Sequence, residues 1–145
     1  MVAELSSSAL DSGFSRGSSR AMRAWAAARW ILSALFLLSA GLQLNDPDPL
    51  RWIGVYGLAA IAMVFPEGSA AIACSRALLA VLCLGWAALL WNEVPAGASL
   101  AELFGPMESR GGRVELGREV GGLLVVGVSL AIAATVAWRK RSASS

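Results

Sequence analysis

Histidine is absent from all 145 residues. That excludes His-ligated haem, the zinc sites that need an imidazole and the di-iron bundles built on Glu-x-x-His. It also excludes Ser-His-Asp and Cys-His nucleophile pairs. Cysteine is almost as scarce, with only Cys74 and Cys83. On one helix that spacing is a rise of roughly 13 Å on nearly opposite faces. Bridged Cα atoms lie within ~7 Å, so the two cannot pair and read as small apolar residues. Lysine occurs once, which leaves arginine as 11 of the 12 basic residues and suggests a GC-rich bacterial genome. No basic run is long enough for nucleic acid, and no carboxylate spacing matches a Ca²⁺ loop. The expectation is no metal and no cofactor.

What is abundant is apolar surface. Hydrophobic residues make up 57% of the chain and mean hydropathy is +0.63, against roughly 45–50% apolar residues in a soluble domain. The excess falls in four blocks whose centres carry almost no charge. About 20 apolar residues cross a bilayer as a helix. The blocks therefore predict an all-α integral membrane four-helix bundle over 24–138, with spans at about 24–44, 49–65, 70–91 and 117–138. Residues 1–23, rich in Ser, Gly and Ala, read as a disordered tail, and 139–145 as a short basic one. LLSAGLQ makes a poor cleavage site, so the first block is expected to stay in place rather than leave as a signal peptide.

The second block is the short one, and a re-entrant segment is its rival reading. Within it Gly54 and Gly57 are expected to admit a neighbouring helix. Pro66-Glu-Gly-Ser69 reads as a turn, and Ser99–Glu102 as a capping box. Arg29 is expected to snorkel to the headgroups. Trp25, Trp30, Trp91 and Trp138 fall near span ends and suit an interfacial belt, whereas Trp86 lies deeper and suits helix packing.

Four crossings put both termini on one side. That side, with the 66–69 turn, holds eight basic residues, and the other side holds four basic and seven acidic ones. The excess of arginine and lysine predicts cytoplasmic termini in a cell membrane, the bacterial inner membrane for this composition.

Two motifs carry the remaining polar signal. In LNDPDP (44–49), Asn45 suits a helix C-terminus, Asp48 an N-cap and Pro49 the first helical position, while Pro47 stiffens the corner. Only Asp46 has no structural task. In VELGREVGG (114–122), Glu115, Arg118 and Glu119 share one helix face, and Gly117 and Gly121 would permit close packing. A charge near the hydrocarbon boundary needs a partner. Arg118 is therefore expected to bridge toward Asp46, Asp48 or Glu119. Trp52 and Tyr56, four apart, are read as belt aromatic and hydroxyl donor, or alternatively as the lining of a shallow pocket.

QLNDPDPLRWIGVYG (43–57) followed by the E-x-G-R-E-x-x-G-L pattern of 115–123 resembles the transmembrane protein 220 family, small four-helix membrane proteins of bacteria and animals. The resemblance covers about 25–138 and implies the four-helix architecture. The family carries no settled biochemical activity, so the resemblance points to residues without naming a reaction. The leading expectation is a non-enzymatic assembly, partner-binding or lipid-binding factor with the polar cluster Asn45, Asp46, Asp48, Glu115, Arg118 and Glu119 on its non-cytoplasmic face. The runner-up is a membrane enzyme or lipid-modifying factor using the same cluster. Expected partners are the lipid bilayer and other membrane proteins.

Overall fold

The computed structural model describes residues 2–45, 48–93 and 113–143, with side chains over 19–44, 48–93 and 116–143. Among the described residues every regular element is helical. α1 spans Val2–Leu42, a 3-10 turn covers Gln43–Asn45, and α2 spans Pro49–Val64. α3 spans Ala70–Trp91 and α4 Arg113–Ser142. Ser19–Leu42, Ala70–Trp91 and Leu116–Ser142 are long and apolar enough to cross a membrane. The 16 residues of α2 rise about 24 Å, against a hydrocarbon core of roughly 30 Å.

α1 reaches back through the segment whose composition suggests disorder. No proline interrupts the chain before Pro47, and the Ala, Leu, Met and Arg of this segment favour helix. α4 likewise starts before and ends beyond the expected 117–138. The capping box at 99–102 lies outside the described residues.

Local chemistry sets both ends of α2. Pro49 occupies its first turn, where the missing N–H has no helical partner. Asp48 is the N-cap residue, yet its side chain makes no capping bond and instead approaches Arg51 at 3.6 Å. At the other end, Phe65 is extended (φ −58°, ψ 138°), as the residue before a proline is biased to be. Pro66 also removes the N–H that would have reached the Ala62 carbonyl. Ser69 then caps α3 by accepting the Ala71 N–H at 3.2 Å.

Cross-helix pairs fix the topology. Ser33 of α1 donates to the Ala60 carbonyl of α2 at 3.0 Å, and Phe36 meets Tyr56. Higher numbers on α1 therefore meet lower numbers on α2, and the two are antiparallel. Trp52 with Trp86, and Ala62 with Arg76, make α2 and α3 antiparallel. Arg76 with Ala133, and Leu84 with Gly127, do the same for α3 and α4. The order is up-down-up-down. α1 packs chiefly on α2 and α3 on α4, and the two hairpins meet mainly along α2 and α4.

The core is built largely from small residues, including Ala59, Ala60, Ala80, Ala87 and Ala133, around Met63, Leu123, Val126 and Leu130. In lipid, apolar transfer gives little reason for helices to associate, so backbone proximity and dispersion carry the packing. At Gly127 the backbone of α4 comes close to Leu84 and Ala80 of α3. Gly54 and Gly57, by contrast, face open space. The side of α2 that packs inward carries Trp52, Ala59, Ala60 and Met63, and the two glycines lie on the other side.

A Cβ at Gly127 would stand 2.7 Å from Leu84 Cγ and 3.4 Å from the Ala80 carbonyl oxygen. Gly127→Val is therefore expected to destabilise the bundle by about 1–3 kcal/mol. Gly54→Val should be nearly silent. Thermal denaturation of both variants in one detergent measures the difference.

Candidate functional site

The described parts of the two sequence motifs lie at the end of the bundle where α2 and α4 begin. A side chain at Gly122 would collide with the Tyr56 hydroxyl, which brings the start of α4 onto the first half of α2. Arg118 lies one turn earlier on α4. Arg118 is exposed and Glu119 half-buried. Asp48 is exposed beside Arg51. Asp46 and the side chains of Asn45 and Glu115 lie outside the described residues.

Beneath this end runs a column of aromatic rings from three helices. Phe36 (α1) and Trp52 (α2) each lie 6.4 Å from Tyr56, measured between centroids. Trp52 stacks on Trp86 (α3) at 5.4 Å with only 10° between the planes, and Arg51 lies over Trp86 at 5.6 Å. Trp52 is therefore buried among helices rather than turned to an interface. A cation over an aromatic face gains about 0.5–1 kcal/mol at an exposed site.

The densest buried charge lies at the opposite end, around the 65–69 turn. Glu67 has a side chain only 2% exposed. It is paired with Arg29 of α1 at 3.3 Å and with Lys140 of α4, and it accepts the Trp25 indole N–H. Arg76 of α3 is completely buried. It donates from Nε to the Ala62 carbonyl at 3.0 Å, from Nη2 to Phe65 at 2.7 Å and from Nη1 to Ala133 at 3.5 Å. Arg29 Nη2 reaches the Val64 carbonyl at 3.4 Å. Two guanidinium groups thus complete the end of α2, where Pro66 withdraws a donor. A cation at a helix C-terminus also meets the negative end of the helix dipole.

Glu67 lies in the turn. Burial alone pushes its carboxyl up, but hydrogen bonds from Lys140, Trp25 and Arg29 and the Lys140 charge outweigh that and hold it below the usual carboxylate range. The ionised form is the one these donors bind.

Two expectations from sequence change here. Arg29 is more than a snorkelling cation, since its side chain pairs with Glu67 and is only 11% exposed. Trp25 does more than mark an interface, because its N–H is committed to a carboxylate. Glu67 itself passes in the sequence for a turn residue. A charge tally would have found it: Arg29 and Arg76 sit inside apolar blocks on its side of the bundle, and no other acid follows residue 11 there. None of the described residues forms a group of His, Cys, Asp and Glu able to hold a metal.

A family model described as transmembrane family 220, helix, matches residues 35–135. That stretch includes Asp48, Tyr56, Glu67, Arg76 and Arg118, and leaves out Trp25, Arg29 and Lys140. No curated protein and no solved structure matches the chain.

Replacing Glu67 with Ala strands buried cations and is expected to cost about 3 kcal/mol. Its pH dependence follows from the lowered folded-state pKa. The stabilisation is fully present above the unfolded carboxylate range and fades as pH falls through the folded value. Acid titration of thermal stability should therefore be steeper for the parent than for Glu67→Gln across that window.

Proposed function

The chain belongs to transmembrane family 220, and we propose that it acts by association within a membrane rather than by catalysis. In this reading α2 crosses the bilayer despite its length, both termini are cytoplasmic, and the membrane is the bacterial inner membrane. The cluster of Asn45, Asp46, Asp48, Glu115, Arg118 and Glu119 then lies on the non-cytoplasmic face and is the surface offered to a partner protein or lipid.

One observation carries the reading. Ser33 and Arg76, buried among the helices of the described bundle, are engaged with its own backbone. Ser33 donates to Ala60, and Arg76 donates to carbonyls of α2 and α4. Ionisable groups inside a membrane face a cavity or the bundle interior and pair with one another or with backbone carbonyls. Here they fasten helices together. What remains for function is surface. Arg118 is exposed at the start of α4, and large apolar side chains such as Leu35, Leu38, Leu58, Ile61 and Leu82 are exposed on α1, α2 and α3.

A second reading has its own support. The Tyr56 hydroxyl, an acid–base-capable group, lies against Gly122, one turn of α4 after the cation Arg118. A membrane enzyme or lipid-modifying factor would use that juxtaposition with Asp46, Asp48 and Glu119.

Purification of the full chain in mild detergent, with identification of co-purifying proteins and lipids, separates the two. Arg118→Ala and Asp48→Asn lie at the surface and should change stability by no more than about 0.5 kcal/mol. The association reading expects both to lose a co-purifying partner while thermal stability holds. Full retention of every partner, together with turnover of added phospholipid that both variants abolish, would replace it with the enzymatic one.

A further inference from the structure

We propose that the Glu67 end of the bundle holds the phosphodiester headgroup of an anionic membrane lipid. This does not rest on the association reading, which concerns the opposite end.

The charges around Glu67 do not balance. Arg29, Lys140 and Arg76 converge on one carboxylate and the end of α2. The helix terminus contributes only about half a negative charge. Buried charge without a counter-ion is costly in a low-dielectric setting. Arg29 Nε is buried without a hydrogen-bond partner. The cluster meets the surface at Lys140, whose side chain is 39% exposed although it pairs with Glu67.

More cations lie at this end of the bundle. Arg139 is exposed in the last turn of α4, and Arg23 is exposed six residues before Arg29 on α1. Glu67 is the one carboxylate among the described side chains at this end. Trp30 and Trp138, 59% and 53% exposed, mark headgroup depth on α1 and α4. The site thus sits where lipid phosphates lie. A phosphodiester supplies one negative charge and two acceptor oxygens, which matches an ammonium flanked by guanidinium groups. A zwitterionic lipid carries its own ammonium and leaves the imbalance in place.

The test uses the full chain in nanodiscs of phosphatidylcholine alone or mixed with phosphatidylglycerol, read by thermal denaturation. Phosphatidylglycerol should raise the melting temperature, and added salt should shrink the gain. Arg23→Gln and Arg139→Gln touch no pair to Glu67 and should fold normally. Each should weaken the lipid's apparent affinity about fivefold. The proposal is overturned if the two lipids stabilise equally, or if the double variant keeps the whole gain. It is also overturned if inorganic phosphate in detergent stabilises as much as the lipid, since that assigns the site to a soluble anion.

Discussion

The bundle depends on how the last turn of α2 is completed. A helix leaves its final carbonyls without partners, and inside a membrane no water is at hand to supply them. α2 adds to this difficulty by stopping short and by ending at Pro66. Donors come from elsewhere: Arg76 serves Ala62 and Phe65, and Arg29 leans on Val64. These donors carry charge, so a counter-charge must accompany them. Glu67 supplies it from the adjoining turn and then draws in Lys140 and Trp25. One missing N–H thus organises residues from all four helices.

Elsewhere the bundle is held by shape. Alanine lines the contacts between helices, and Gly127 lets α3 and α4 meet closely. The aromatic column at the other end fills space between α1, α2 and α3 with large rings that slide little once stacked. The two ends therefore differ in kind. One is fastened by charge and backbone carbonyls, the other by stacked rings with exposed ions above them.

The helices were legible because lipid imposes a length and a polarity on whatever crosses it. Ala70–Trp91 could be read to the residue, since a turn bounds it on one side and polar Asn92 and Glu93 on the other. The start of α2 was legible from Asp48-Pro49, although Asp48 turned out to pair with Arg51 rather than cap. The helical reach of α1 below Trp25 was not legible, because Ser and Gly mask a segment that lacks any proline. Nor was the direction of Arg29. A guanidinium near a span end has two ways to avoid lipid, outward to water or inward to a carboxylate. Only the position of α2's end decides between them. Family membership rests on the stretch holding the Asn-Asp-Pro-Asp corner and α4, which the sequence motifs had already marked.

Pro66 also has a bearing on how the molecule is made. The donor that α2 lacks arrives from Arg76, ten residues further along and inside the next helix. Without Arg76 the end of α2 would keep carbonyls of Ala62 and Phe65 unserved. That terminus is completed only where α3 packs beside it, so the fit of α2 depends on a helix that follows it in the chain.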